Sequence, residues 1–366
     1  MRASFSRLFI TAILAVGGLA GCSVKIDSTT PEARAAIQRG NALLNSHQPK
    51  AAIHEFDEAI RVSPQNSLAF NNRGRAKYEA GDRSGSRADF DTAIDLDPNF
   101  AGAYSNRSLA RKDAGDVAGA IADGDKAIEL EPTLALAYNN RGLARYTAGN
   151  LKAAGQDYDK AIELEPQLAI AYNNRGLARH GLHDLKGAVD DFSKAVGLSP
   201  LDALAYSNRG LARRDLGDVA GAIADCDMAI ELNPKLTLAY NNRGLARCAQ
   251  HNLKGALEDF NMAIELGPPT ALIYDNRSIV RQALGEFPAA IADCDKAIGV
   301  DPRLASAFNS RGFAKVQIGD LNGADADYGR AIEIDSTMAE AYENRGLLRV
   351  RQGKDAEAQH DFDKVI

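Results

Sequence analysis

An arginine recurs at Arg73, Arg107, Arg141, Arg175, Arg209, Arg243, Arg277, Arg311 and Arg345, always 34 residues apart. A proline keeps the same step at Pro64, Pro98, Pro132, Pro166, Pro200, Pro234, Pro268 and Pro302. No insertion or deletion disturbs the register. A fixed period of this length excludes the two or three separate globules that 366 residues would otherwise allow, because such repeats stack into one elongated array.

The sequence within one period predicts two helices. Residues 135–148 run without proline, and Gly149 and Asn150 follow. Glycine suits the left-handed position after a helix, and asparagine can cap the next one. Ala154, Tyr158, Ala161, Ile162 and Leu164 then fall on one helical face, and Glu165 and Pro166 end the second helix. Other repeats keep the turn, as in Gly115 with Asp116 and Gly217 with Asp218, while His183 and His251 stand where glycine is usual.

With Ala135 as position 1, Tyr138, Gly142, Ala154, Tyr158, Ala161 and Pro166 occupy positions 4, 8, 20, 24, 27 and 32. This pattern resembles the tetratricopeptide repeat. The resemblance implies an all-α, right-handed superhelical solenoid of about ten repeats over residues 33–366, starting near 33, 67, 101, 135, 169, 203, 237, 271, 305 and 339. It also implies a concave surface lined by the first helices. The chain departs from the family at position 7, which is arginine rather than apolar. The last repeat stops inside its second helix with no capping helix after it, and is expected to fray first.

Each of the nine position-7 arginines from Arg73 to Arg345 has an aspartate sixteen residues later, among them Arg141 with Asp157, Arg175 with Asp191 and Arg209 with Asp225. That distance joins the two helices of one hairpin, so these are expected to be structural ion pairs. Position 6 is asparagine in Asn72, Asn106, Asn140, Asn174, Asn208, Asn242, Asn276 and Asn344, with Ser310 the exception among the second to tenth repeats. An amide both donates and accepts, which suits it to gripping an extended peptide without reading its sequence. In this the column resembles the asparagine ladder of O-GlcNAc transferase repeat regions, although no residues remain for a transferase domain. The same amides equally suit hydrogen bonds to the neighbouring repeat.

The N-terminus reads as a separate module. "MRASFSR" is basic, "LFITAILAVGG" is apolar and too short for a stable span, and Leu19, Ala20 and Gly21 precede Cys22. This resembles a bacterial lipobox. The resemblance implies a lipoprotein signal peptide at 1–21, acylation of Cys22, and a short linker at 22–32 before the solenoid. Several acyl chains, palmitate-like among them, give stable anchoring where one is marginal. Ser23 favours the outer membrane, facing the periplasm, by the same resemblance.

Composition bounds the function. A formal charge of −6, with two arginines and no acid in the first 21 residues, argues against nucleic-acid binding. Cys226 and Cys294 share a core position two repeats apart, too far for a disulfide, whereas Cys226 and Cys248 stand in neighbouring repeats, where a bridge is allowed but not expected. His180 and His183 lack further ligands for a metal, the glycines follow the period rather than a phosphate loop, and no catalytic triad stands out. No enzyme activity, metal or cofactor is expected. The expected function is a protein-interaction scaffold of the bacterial cell envelope, binding another envelope protein or an extended peptide in the concave groove. A structural or self-associating protein, or a regulatory subunit of a separately encoded enzyme, is the alternative. Oligomeric state is not legible in the sequence.

Overall fold

A computed structural model describes residues 30–268 and 270–365. Cys22 and the signal-like segment lie outside the described residues. The described residues form twenty α-helices and no strand. They divide into two compact units at Pro200 and Leu201.

The N-terminal unit holds five hairpins. They pair α1 (Pro31–Asn45) with α2 (Pro49–Val62), α3 (Ser67–Glu79) with α4 (Arg83–Leu96) and α5 (Ala101–Asp113) with α6 (Val117–Leu130). Then α7 (Ala135–Thr147) pairs with α8 (Leu151–Leu164), and α9 (Ala169–Gly181) with α10 (Leu185–Leu198). The C-terminal unit has five more. They pair α11 (Ala203–Leu216) with α12 (Val219–Leu232), α13 (Thr237–Ala249) with α14 (Leu253–Leu266) and α15 (Ala271–Ala283) with α16 (Phe287–Val300). Last come α17 (Ala305–Gln317) with α18 (Leu321–Ile334), and α19 (Ala339–Arg351) with α20 (Asp355–Phe362).

The turn inside each hairpin requires a left-handed residue. Glycine supplies it in seven repeats, with φ between 73° and 95°. His47, His183 and His251 supply it in the other three, at φ 56°, 64° and 60°. A residue with a Cβ costs about 1–2 kcal/mol there, so these three turns are strained.

The cap of the second helix follows a rule the sequence reading missed. Asp82, Asp116, Asp184, Asp218, Asn252 and Asp320 each accept a hydrogen bond from the backbone N–H three residues on. In all six that residue is glycine. A Cβ on Gly119 would lie 2.2 Å from Asp116 Oδ2. Asn150 was expected to cap α8 and makes no side-chain cap. Ala153 stands three residues after it, where the six capped turns have glycine.

The hairpin core is a ring laid on a glycine. A Cβ on Gly176 would meet Phe192 Cε1 at 2.7 Å, and one on Gly142 would meet Tyr158 at the same distance. Where the third repeat has Gly124 in place of the ring, it has Ser108 in place of the glycine, with its hydroxyl donating to the Ala120 carbonyl. Cys226 and Cys294 fill the ring position as small apolar groups. Cys226, Cys248 and Cys294 are all free thiols, so no bridge joins Cys226 to Cys248. Burial pushes the Cys226 and Cys294 thiols up to about 12, which leaves them protonated and inert at neutral pH.

Candidate interaction surface

The surface that a hairpin stack presents depends on which side chains the stack itself consumes. The arginines at position 7 are consumed first. Arg175 Nε and Nη2 donate to Asp191 at 2.9 and 2.6 Å, joining α9 to α10. Its Nη1 donates to Asp159 Oδ1 at 2.7 Å, joining α9 to α8 of the preceding repeat. Its guanidinium also lies 5.5 Å from the centre of the Tyr172 ring. One side chain thus clamps three helices.

Five other repeats repeat the clamp in full. Arg141 holds Asp157 and Asp125, Arg243 holds Asp259 and Asp227, and Arg311 holds Asp327 and Asp295. Arg209 donates to Asp225 at 2.7 and 2.8 Å. Each inner aspartate takes a second cation from position 11, as Asp191 does from Arg179 and Asp225 from Arg213. Burial opposes the charge of Arg175, but hydrogen bonds to Asp191 and Asp159 outweigh it and hold the group above its usual value. The aspartate sixteen residues before six of these arginines was missed from sequence. Its signal was available as a column at Asp57, Asp91, Asp125, Asp159, Asp227 and Asp295.

The asparagines of position 6 come next. Asn72, Asn140, Asn174, Asn208 and Asn242 are buried, and Asn106, Asn276 and Asn344 are half-buried. In seven of them the amide nitrogen turns to the preceding repeat. Asn106 donates to Asn71, Asn174 to Asn139, Asn276 to Asn241 and Asn344 to Asn309, at 2.9–3.1 Å. Asn140 and Asn242 donate to the hydroxyl and carbonyl of Ser105 and Ser207. Asn72 donates to Asn41. Asn71 and Asn139 in turn donate to the next amide along their own helix, so the bonds form chains across three repeats. A peptide reaching these nitrogens would have to displace bonds that hold neighbouring repeats together.

Position 9 differs between the two units. In the N-terminal unit Leu109, Leu143 and Leu177 are buried there, the first two in one cluster with Tyr78 and Phe90. In the C-terminal unit the column opens. Ile279 is 49% exposed, Phe313 40% and Leu347 63%. These three occupy the same position of α15, α17 and α19, one turn beyond Asp275, Asn309 and Glu343. A patch of large apolar groups in adjacent first helices is the chemistry of a protein contact.

No group of three or more histidines, cysteines or acids that could hold a metal occurs among the described residues. No helix among them is long and apolar enough to cross a membrane.

Family models for the tetratricopeptide repeat match residues 203–236 in one case and 37–99 and 71–135 in another, and a TPR repeat model matches 143–182 and 314–353. No curated protein sequence gives a significant match. Similar solved structures include the APC/C hetero-tetramer Cut9–Hcn1, 14% identical over 86% of this chain and 76% of that chain, with TM-score 0.65. The human IFIT1 dimer with m7Gppp-AAAA is 15% identical over 93% and 90%, with TM-score 0.60. A tetratricopeptide repeat protein from Parabacteroides merdae is 19% identical over 69% and 99%, with TM-score 0.52. At such identities the likeness establishes the fold alone.

Proposed function

Because this chain is built from tetratricopeptide repeats, we propose that it is a non-catalytic scaffold of the bacterial cell envelope that holds a partner protein or extended peptide on its first helices. The observation that carries this reading is the exposed column of Ile279, Phe313 and Leu347. Burying three such side chains would contribute about 1.5–3 kcal/mol each at full burial, enough to anchor a segment of the partner. The buried asparagines serve the joints between repeats and leave partner contacts to this column.

The N-terminal sequence supports the location. Leu19, Ala20, Gly21 and Cys22 have the order of a lipobox, so the thiol of Cys22 takes the lipid and the repeats face the periplasm. Radiolabelled palmitate should enter the chain and be lost in Cys22→Ala.

Site-specific photo-crosslinking in cells tests the binding reading. A photoreactive phenylalanine at Phe313 should give a discrete crosslinked protein, and the same group at the exposed Lys254 on α14 should not. Equal products from both sites, or none from Phe313, would remove the column as the binding surface.

A further inference from the structure

Positions 5 and 6 face one another across the joints between repeats. At the joint of α15 with α17 both change together. Position 5 carries Asp275, its one aspartate, and position 6 carries Ser310 in place of asparagine. Two more departures gather at the same joint. Ser306 stands where the second to eighth repeats carry leucine, isoleucine or glycine, and Ser278 stands where eight repeats carry glycine. Near-identical repeats make this concentration of changes around one carboxylate informative.

Asp275 is 3% exposed. Ser306 Oγ donates to its Oδ2 at 2.6 Å, and Oδ1 is buried without a hydrogen-bond partner. Ser278 Oγ donates to the Asp275 carbonyl at 2.8 Å, and Gln282 Nε2 to the Ser310 carbonyl at 3.1 Å. The groups that face the carboxylate are the hydroxyls of Ser306 and Ser310 from α17, that of Ser278 from its own helix, and the Cys294 thiol from α16. Towards α13 and α14 the helix is held by amides, through Asn276 to Asn241 and Arg277 to Asn261. Arg277 is otherwise committed to Asp293. No basic side chain among the described residues pairs with Asp275. An ionised carboxylate here loses its water and gains no counter-charge. Burial therefore raises its pKa, and the nearby hydroxyls, that of Ser306 above all, offset only part of the rise.

We propose that the joint between the eighth and ninth repeats is operated by a proton: Asp275 closes it as the neutral acid, and its ionisation loosens α15 from α17. The proton leaves to water, and the carboxylate left behind draws water into the joint. This goes beyond the binding role, since it sets when two neighbouring helices of the exposed column keep their spacing. The sign follows from the raised folded pKa. The advantage of the neutral acid is complete below the unfolded aspartate value of about 3.9 and is lost as pH rises through the folded value. The joint is tighter in mild acid than above it.

The test is amide hydrogen exchange on the full chain from pH 4.5 to 8, corrected for intrinsic exchange, reading residues 271–283 and 305–317. In the wild type the opening constant should rise with pH, by at most about tenfold per unit for one proton. In Asp275→Asn it should stay flat. Ser310→Asn keeps the carboxylate and gives it a donor, so its slope should fall between the two. The joint of Ser207 with Asn242 serves as an internal reference and should show no pH slope in any chain. A flat wild-type profile, or the same slope in wild type and Asp275→Asn, would overturn the proposal.

Discussion

Asp191→Ala is expected to destabilise the fifth repeat by about 3–5 kcal/mol. Asp191 is buried and accepts from Arg175 twice and from Arg179 once. Removing it leaves two donors of the largely buried Arg175 guanidinium unmet, while Arg179 Nη1 keeps only the Gly187 carbonyl at 3.4 Å. Asp159 retains one bond to Arg175, which keeps the loss from exceeding this range. Urea unfolding followed by exchange of the α9 and α10 amides measures it. Changing Arg175, Arg179 and Asp191 together to methionine, methionine and leucine should recover most of the loss, because the cost lies in the uncompensated charges rather than in the missing bonds. A single-variant loss below about 1 kcal/mol would mean that water reaches the clamp and the pair behaves as a surface one.

Phe192→Ala in the same hairpin should cost about 3–5 kcal/mol by a different route. The Phe192 ring is 1% exposed and lies flush with Gly176, so its loss leaves a cavity between α9 and α10 that the backbone cannot close. The opposite change, Gly176→Ala, should also destabilise, by about 1–3 kcal/mol, because the new Cβ would start 2.7 Å from the ring. Melting of the full chain, read beside exchange in the tenth repeat as an internal reference, distinguishes a local loss from a general one.

The hairpins were legible because their causes are local. Gly149 with Asn150, and Glu165 with Pro166, mark a turn and a stop whatever surrounds them. The pairing of Arg175 with Asp191 was legible because sixteen residues fix one hairpin partner. Its second partner, Asp159, lies sixteen residues upstream in another repeat, and only a stacked arrangement brings it close. The missing cap at Asn150 was not legible, because a preference for cap residues names the residue type and not the side-chain geometry that makes the bond. The asparagines were ambiguous for a like reason. An amide offers the same donor to a peptide and to a neighbouring repeat, and only packing decides which comes within reach. Nothing local marks Asp275 in the sequence, because its setting depends on Ser306 and Ser310 from the next repeat and only packing brings them to it.

The measurement closest to the centre of this account is the double-mutant cycle between Asn139 and Asn174, each changed to alanine, with exchange of the α7 and α9 amides as readout. Asn174 Nδ2 donates to Asn139 Oδ1 at 3.0 Å, and both side chains are buried. A coupling of about 0.5–1.5 kcal/mol is predicted, the net worth of one buried hydrogen bond, with crosslinking from Phe313 unchanged in the single variants. Additive losses, or loss of the Phe313 crosslink at unchanged stability, would contradict it and return the asparagine column to the partner.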